Sequence, residues 1–238
     1  MNAYHLHILT GEAVHPDQAR QLTASLLDKD QSGAVASLMN YDPATGKTIT
    51  AFPPVHFGYN RKGFSLVGYG ENGSQLVQDM AGKIVLAWSE RLDKPVMVEG
   101  RNICCAVERE NYPVTYRVPR MVLQKRAEHL VTLKDPVAGK AFIEKLFLSS
   151  ITRQAEHLGL AMPKDIQVEF LGCGSEFAAQ NGKGSPACLG IRQAVFKANL
   201  RLRGLWSVGR LLSKGYGLMN CDLQRGEQEK GDSHALPQ

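Results

Sequence analysis

The chain has 238 residues, enough for one large domain or for two of about 110 residues each. With 43% hydrophobic and 21% charged residues, its composition predicts an ordinary soluble globular protein. No apolar run approaches the roughly 18 residues of a membrane span, so we exclude an integral membrane protein and expect no membrane partner. No basic region precedes an apolar stretch at the N-terminus, which argues against secretion.

The cysteines indicate a reducing environment. They are odd in number, two are adjacent, and none form a C-x-x-C pair, so neither a disulfide framework nor a zinc knuckle is indicated. We therefore expect a cytoplasmic protein. The five residues are Cys104, Cys105, Cys173, Cys188 and Cys221.

The net charge of +5 is unevenly distributed along the chain. Residues 109–217 carry 17 Lys and Arg against 8 Asp and Glu, whereas residues 1–108 carry 9 against 11 and residues 218–238 carry 2 against 4. Clustered cations release condensed counterions when they bind nucleic acid. The basic second half is therefore either a polyanion-binding surface or an ordinary solvated surface, and charge alone does not decide between them.

The hydrophobic pattern of the first half predicts the element order β-α-β-β-α-β. This is the order of the split βαβ, or ferredoxin-like, fold, and it predicts a first α+β domain over residues 1–111. Pro16 suits the first position of a helix. In chain order we predict a strand at 4–9, a helix at 16–28, extended segments at 33–41 and 47–55, a basic turn at 59–63, a strand at 64–67, a helix at 75–92 and a strand at 96–108.

The second half predicts a second α+β domain over residues 112–224, with a boundary at 111–113. The polar tail at 225–238 lacks periodicity and is predicted to be disordered. In chain order we predict an extended segment at 114–120, a helical insertion at about 120–160 interrupted near 134–136, a strand at 166–171, a Gly/Ser-rich loop at 172–186, a strand-rich segment at 187–203, a short helix or turn at 205–214 and a final strand at 216–223.

Residues 196–203 alternate strictly, as a strand with one apolar and one basic face does. The apolar set is Phe196, Ala198, Leu200 and Leu202, and the polar set is Lys197, Asn199, Arg201 and Arg203. A glycine-rich segment at 207–219 follows, in which Ser207-Val208-Gly209 and Gly215-Tyr216-Gly217 enclose a basic turn with Arg210 and Lys214. Glycines let backbone amides approach a phosphate closely, while Arg and Lys supply the countercharge.

The glycine-rich segment resembles the C-terminal loop of RAMP-superfamily CRISPR endonucleases that cut repeat RNA into guide RNAs. Gly209, Gly215 and Gly217 match that loop, and Ser207 departs from its first glycine. The resemblance implies an α+β fold of two ferredoxin-like, RRM-like domains in tandem, the second with a helical insertion and this loop. The long basic helical segment is similar to that of the type IV variant of the family.

The resemblance also implies a reaction and partners. The expected activity is metal-independent cleavage of a CRISPR repeat stem-loop by 2′-OH attack, leaving a 2′,3′-cyclic phosphate and a 5′-OH, with no cofactor. The expected partners are the mature crRNA, which stays bound, and other subunits of a CRISPR effector complex. Histidine suits proton transfer in this chemistry, whereas arginine suits charge stabilisation.

Relatives often place a catalytic histidine in or just after the first helix, but residues 26–33 contain none here. We therefore assign Arg20 with His15 or His56 as catalytic residues, although each histidine also fits a helix cap or a turn. The expected RNA contacts are Lys29, Arg61, Lys62, Lys125, Arg126, Lys197, Arg201, Arg203, Gly209, Arg210, Lys214, Gly215 and Gly217. The apolar-interleaved cations of the helical segment also include Arg120 and Arg153.

Two alternative functions stay open from the sequence. A non-catalytic RAMP subunit that holds guide RNA needs no histidine, whereas the retained glycine-rich segment favours the nuclease. A small-molecule enzyme leaves the basic second half unexplained. His5 and His7 form an H-x-H pair without a third metal ligand at suitable spacing. Residues 68–73 match G-x-G-x-x-G but lack an acidic partner at a strand end.

Overall fold

The computed structural model describes residues 2–27, 33–42, 44, 52–123, 135–180 and 187–220. The helices are α1 (Pro16–Leu27), α2 (Ala34–Leu38), α3 (Gly70–Leu92) and α4 (Pro136–His157), with a 3₁₀ turn at Leu212–Lys214. The strands are β1 (Ala3–Leu9), β2 (Val55–Asn60), β3 (Gly63–Tyr69), β4 (Met97–Ile103), β5 (Ala106–Val122), β6 (Val168–Gly172), β7 (Glu176–Gln180), β8 (Ala187–Arg203), β9 (Leu205–Ser207) and β10 (Leu218–Asn220).

The first sheet, called here the N-terminal sheet, has the strand order β2-β3-β1-β4, and all its pairs are antiparallel. This is the order expected of a split βαβ unit. Leu6 and Ile8 of β1 are buried in one apolar cluster with Ile84 and Trp88 of α3. Trp88 also donates its indole N–H to the Thr23 hydroxyl of α1 at 3.0 Å, which joins the two helices. The helices therefore cover one face of the sheet, and the other face is available to the second half of the chain.

The second sheet, called here the C-terminal sheet, is organised around β8, which has 17 residues. Its order is β5-β8-β6, and β7 also pairs with β8. The predicted alternation along β8 is confirmed: Phe196 and Leu200 are both fully buried, while Arg201 and Arg203 are exposed. The ring of Phe196 stacks on Phe147 of α4 with centroids 4.5 Å apart, so α4 covers the apolar face of this sheet.

The two halves share one apolar core. Ala3 and Tyr69 from the N-terminal sheet belong to the same buried cluster as Trp206 and Met219 from β9 and β10. Gln154 of α4 fixes β9, because its amide donates to the Leu205 carbonyl and accepts from the Ser207 N–H, both at 2.9 Å. The glycine-rich segment is thereby held against the open face of the N-terminal sheet.

Several predicted elements are wrong in type. Residues 34–38 form helix α2 instead of a strand, because periodicity cannot separate a short apolar run of helix from one of strand. The break expected near 134–136 falls where α4 begins: the Asp135 carboxylate accepts from the N–H groups of Val137 and Ala138, with Pro136 at the first position. The Gly/Ser-rich loop at 172–186 contains β7, which pairs with β8.

Two predicted segments differ from the observed strands in where they begin and end. The strand expected at 96–108 is divided at Cys104 and Cys105 into β4 and β5. Strand β5 then runs through the expected domain boundary at 111–113, with a register shift between Arg109 and Val114. It continues to Val122, so Arg120 lies in a strand and not in a helical insertion.

Other predictions lie partly or wholly outside the described residues. They concern the extended segment at 47–55, the first part of the helical insertion at 124–134, the loop at 181–186 and the tail at 225–238. Within the described ranges, no helix is both long and apolar enough to cross a lipid bilayer.

Candidate functional site

A cleft of about 1190 Å³ lies where the open face of the N-terminal sheet meets β5, β8 and the glycine-rich segment. The described residues that line it include five Lys or Arg and no Asp or Glu: Arg101, Arg117, Arg120, Arg192 and Lys214. Three histidines also line it, His5 and His7 from β1 and His15 from the start of α1. Such a concentration of one sign of charge in a concave site attracts anions.

His15 and Arg120 form the closest polar contact of the cleft. The Nη1 atom of Arg120 lies 2.7 Å from His15 Nε2. Because a guanidinium only donates, Nε2 is the acceptor of this hydrogen bond. With Nε2 as the acceptor, the proton of a neutral ring lies on Nδ1, 3.3 Å from the Asp17 backbone nitrogen. Burial lowers the pKa of His15, the Arg120 charge lowers it further and the Asp17 carboxylate opposes both. The ring is therefore neutral near pH 7.

Aromatic rings hold the Arg120 guanidinium in place. Its central carbon lies 4.8 Å from the centroid of Phe177 and 5.1 Å from that of Tyr216. These two rings stack on each other at 5.8 Å, and Arg192 lies 5.2 Å from the Phe177 centroid. Cation–π contacts fix the plane of a guanidinium without neutralising its charge. The cleft thus keeps Arg120 beside His15 and Arg192 beside Phe177.

The glycine-rich segment packs closely on the start of α1. Gly215 has φ +84°, and a Cβ there would overlap Pro16 and lie 2.8 Å from the Phe57 carbonyl oxygen. Lys214 is 8% exposed, and its Nζ lies 3.5 Å from Asp17 Oδ1. Glycine at 215 is therefore needed for this close approach. The contact brings His15 and Tyr216 to the same part of the cleft, with ring centroids 6.5 Å apart.

The amides of the three glycines have partners inside the protein. Those of Gly209, Gly215 and Gly217 all donate to internal acceptors, so none is free to bind a phosphate in this arrangement. The acceptors are the Ser150 hydroxyl at 3.0 Å, the Leu212 carbonyl at 3.0 Å and the Arg120 carbonyl at 2.7 Å. All three glycines have positive φ, at +98°, +84° and +76°. They serve close packing and chain reversal, and the loop contributes side chains to the cleft.

The second histidine predicted to be catalytic, His56, is only 1% exposed. Its Nδ1 lies 3.0 Å from the Ser207 hydroxyl, which is also 3.3 Å from the Tyr69 hydroxyl. Burial lowers the pKa of His56 to about 3, the nearby His157 adds to this and a hydrogen bond with the Pro53 backbone opposes it. His56 therefore cannot contact RNA in this arrangement. Ser207, the departure from the first glycine, supplies the hydroxyl that bonds His56.

Arg20, also predicted to be catalytic, lies in α1 but does not line the cleft. Its Nη2 donates to the Met39 carbonyl at 2.5 Å, and its central carbon lies 5.8 Å from the Tyr41 ring centroid. The side chain is therefore turned toward the segment that follows α2. His15 is the one predicted catalytic residue among those that line the cleft.

The predicted RNA contacts are divided among several surfaces. Lys214, Gly215 and Gly217 line the cleft. Arg201 and Arg203, on the outer face of β8, are paired with Glu110 at 2.8 Å and with Glu108. These two ion pairs offset much of the positive charge of that face. Lys197 is exposed on the same face.

The other predicted RNA contacts lie outside the cleft or outside the described residues. Arg61 and Lys62 are exposed in the turn between β2 and β3, where the Lys62 carbonyl accepts from Gly11 at 3.0 Å. Burial lowers the pKa of Arg210, and the like charge of Arg153 adds to this. Lys29, Lys125 and Arg126 lie outside the described residues.

The sequence pattern does not single out the cations of the cleft. It groups Arg120 with a helical segment, and Arg101 and Arg192 belong to no motif. The extended segment predicted at 114–120 contains Arg117 and Arg120, so a basic strand was the signal that could have revealed them. Among the described residues, no three His, Cys, Asp or Glu side chains cluster as a metal site.

Solved structures similar to this chain are CRISPR RNA endonucleases. One titled "Csf5, CRISPR-Cas type IV Cas6 crRNA endonuclease" is 19% identical with a TM-score of 0.69, over 93% of this chain and 100% of that chain. A Cas6b crystal structure is 15% identical with a TM-score of 0.67, over 93% and 100%. A second, titled as a CRISPR RNA processing endoribonuclease Cas6b, is 14% identical with a TM-score of 0.59, over 92% and 99%. At these identities the likeness shows the fold, a mixed α/β arrangement with antiparallel sheets.

The family itself follows from the sequence match. Residues 1–223 match the model of the family described as type IV CRISPR-associated endonuclease Csf5. The match covers nearly the whole chain. The chain therefore belongs to this family of CRISPR-associated endonucleases. No curated protein sequence matches the chain.

The two buried histidines predict a loss of stability in acid. The pKa of His56 is about 3, and the pKa of His5 is also about 3, through burial and the nearby His7 and Arg101. Between the unfolded value of 6.5 and pH 3, the unfolded chain takes up protons that the folded protein does not. Because each histidine contributes up to about 1.4 kcal/mol per pH unit, the free energy of unfolding falls as the pH is lowered.

Urea unfolding at pH 7, 6 and 5 measures this effect. In the His56→Gln variant we expect about half of the histidine contribution to disappear, so the decrease between pH 7 and pH 5 becomes smaller by about 2 kcal/mol. An unchanged pH dependence in the variant would show that His56 titrates normally in the folded protein.

Proposed function

We propose that this chain is an endoribonuclease that cleaves a CRISPR repeat stem-loop within the basic cleft. The observation that carries the proposal is a neutral histidine, His15, held against an arginine in a cleft whose described lining is cationic. Membership of the Csf5 family supports endonuclease activity, and a similar structure is titled a crRNA endonuclease. The product crRNA stays bound through the same cations, as part of a complex with other CRISPR subunits in the cytoplasm.

The proposed reaction needs no metal ion. His15 Nε2 accepts the proton of a ribose 2′-OH, and the 2′-oxygen attacks the adjacent phosphorus as the bond from phosphorus to the 5′-oxygen breaks. The 5′-oxygen takes a proton from solvent, and His15 later returns its proton to solvent. The products are a 2′,3′-cyclic phosphate and a 5′-OH, with no oxidant, reductant or cofactor consumed.

The cations of the cleft stabilise the negative charge that develops on the phosphorane. Arg192 is positioned by the Phe177 ring before any substrate binds, and preorganised charges of this kind lower the barrier most. Arg120, held by the same ring, supplies the second charge. Arg20 is a positioning residue in this proposal and does not contact the RNA. Its bond to the Met39 carbonyl steadies α1, whose first turn carries His15.

We also propose that the second half repeats the ferredoxin-like arrangement of the first. Strand β5, helix α4, strand β6 and strand β8 follow in the order β-α-β-β, and the sheet order is β5-β8-β6. The fourth strand of such a unit lies beside the first, and the glycine-rich segment does so through the bond from the Gly217 N–H to the Arg120 carbonyl. On this basis the two domains divide at Cys104 and Cys105, between β4 and β5.

A guide-holding subunit without nuclease activity is the second candidate. It is favoured by the burial of His56 and by the occupied amides of the glycine-rich segment, since neither is available to RNA. The nuclease proposal therefore depends on His15.

Cleavage of an end-labelled repeat stem-loop in excess EDTA tests the proposal. We expect cleavage in EDTA, complete loss of cleavage when a single 2′-deoxy replaces the nucleophile, and a 2′,3′-cyclic phosphate on the upstream fragment. Tight binding of the stem-loop without cleavage would instead support the guide-holding subunit.

The His15→Ala variant tests the proposed base. We expect the cleavage rate to fall about 10²–10⁴-fold, because general base catalysis contributes on that order, while affinity for the stem-loop changes little. His157→Gln is the matched control, because His157 lies on α4 outside the cleft and a glutamine keeps a donor for the Tyr69 carbonyl that the ring contacts at 3.2 Å. We expect this variant to cleave at the wild-type rate. Equal losses in both variants, or a parallel loss of affinity in His15→Ala, would contradict a role as base.

The salt dependence of binding tests where the RNA lies. In the double variant Arg117→Ala and Arg192→Ala, we expect the slope of log affinity against log salt to decrease by roughly 1.4–1.8, since each lost phosphate contact removes about 0.7–0.9. Arg201→Ala with Arg203→Ala should reduce it less, because glutamates already pair with both arginines. A larger decrease of the slope in the Arg201→Ala, Arg203→Ala variant than in the cleft variant would show that the RNA binds on the outer face of β8.

A further inference from the structure

We propose that Arg120 covers His15 in the free protein and that an RNA phosphodiester removes the cover. The guanidinium occupies Nε2 of His15 until a phosphate in the cleft draws it away and frees that nitrogen for the 2′-OH proton. The ligand class is a phosphodiester, and the inference rests on the function proposed above. It assigns Arg120 a role that neither the family match nor the sequence motifs indicate.

The contact itself prevents His15 from acting as a base. At 2.7 Å, the Arg120 Nη1 donates into the lone pair of Nε2. The second ring nitrogen, Nδ1, lies 3.3 Å from the Asp17 nitrogen and carries the proton of the neutral ring, so it cannot act as the base. A base must have a free lone pair within hydrogen-bond distance of the proton it takes. The guanidinium must therefore leave Nε2 before the reaction begins.

The surroundings of Arg120 permit this movement. Its guanidinium is held by the faces of Phe177 and Tyr216, and no ion pair with a carboxylate is present among the described residues. Its Nε has no hydrogen-bond partner. The backbone, in contrast, is fixed, because the Arg120 carbonyl accepts from Gly217 at 2.7 Å. The end of the side chain can thus move along the aromatic faces while the strand stays in place.

A phosphodiester offers Arg120 a better partner than His15 does. A guanidinium binds an anionic phosphate through charge-assisted, often bidentate hydrogen bonds, which are roughly twice as strong as bonds between neutral groups. The imidazole is neutral, so its bond to Arg120 lacks this charge–charge attraction. Substrate binding therefore favours the exchange, and the base becomes available only when a phosphate is in the cleft.

The groups facing His15 make the exchange measurable. From β5, Arg120 lowers the pKa of His15, and burial has the same effect. From α1, Asp17 raises it, and this carboxylate is itself paired with Lys214 of the glycine-rich segment. Tyr216 contributes a ring at 6.5 Å. Arg120 is the facing cation that lowers the pKa of His15. Its removal must therefore raise the pKa of His15 in every state in which the wild-type guanidinium contacts the ring.

NMR titration of the histidine rings in wild-type protein and in Arg120→Gln tests the cover. Each protein is titrated alone and when saturated with a stem-loop that carries a single 2′-deoxy at the cut site. We expect the pKa of His15 to be higher in Arg120→Gln than in wild type for the free proteins, and to be nearly equal in the two complexes. His7 is the internal reference in the free proteins, because burial, Arg101 and Glu99 set its pKa and Arg120 does not.

If the pKa of His15 is higher in Arg120→Gln than in wild type by the same amount in the free proteins and in the complexes, Arg120 stays on His15 when RNA is bound. No displacement in the free proteins would show that the contact does not form in solution. Either result overturns the inference. Arg120→Met, which removes the charge and keeps a long unbranched side chain, replaces Arg120→Gln if the latter does not fold.

Activity separates this inference from the proposed function. In Arg120→Gln we expect cleavage to slow by about 10²–10³-fold, the usual loss for one preorganised donor, and the acid limb of kcat/KM to move to higher pH. If the stem-loop does not bind at all, the proposed function fails. Saturating inorganic phosphate then replaces the stem-loop in the titration: convergence of the two pKa values supports the cover, and an unchanged difference overturns it.

Discussion

The close packing of the glycine-rich segment on the start of α1 is the constraint on which the proposed site depends. Gly215 leaves no room for a side chain between Pro16 and the Phe57 carbonyl, and Lys214 is paired with Asp17 at the same point. This contact joins the last strands of the chain to its first helix. Without it, His15 would lie at a helix start in solvent, and Arg120 would have no histidine to contact.

The aromatic residues of the second half complete the arrangement. Phe177 lies in the short strand β7, within a segment that the sequence predicts to be a loop. Tyr216 lies between two glycines. Together they hold Arg120, with which no carboxylate among the described residues pairs, so its full charge remains available in the cleft. An ion pair such as those of Arg201 and Arg203 on β8 would have cancelled much of that charge. The positive potential of the cleft thus depends on stacking instead of on ion pairs.

The sequence predicts local and periodic features well. The element order of the first half, the alternation along β8 and the importance of the glycine-rich segment all follow from spacing within short stretches. The role of the glycines does not, because a positive φ serves close packing as readily as phosphate binding, and only the acceptors of their amides distinguish the two. Residue spacing also cannot show that His56 faces Ser207, 151 positions away along the chain.

The site residues illustrate the same limit. The pattern indicates His15 because it begins a helix, but its partner Arg120 is 105 positions away and lies in a strand where the pattern predicts a helix. Its place in α1 indicates Arg20, yet the side chain bonds the Met39 carbonyl instead of lining the cleft. The charge asymmetry of the sequence indicates a basic surface. Which cations line the cleft depends on the pairing of strands that are far apart in the chain, and local sequence patterns do not show that pairing.

The structure of a complex with a 2′-deoxy repeat stem-loop would show whether the reaction takes place in the cleft. We expect the scissile phosphate to lie in the cleft within hydrogen-bond distance of the Arg120 guanidinium, with the 2′ position of the preceding ribose facing His15 Nε2. A stem-loop bound with its scissile phosphate elsewhere, for example on the outer face of β8 beside Arg201 and Arg203, would contradict it.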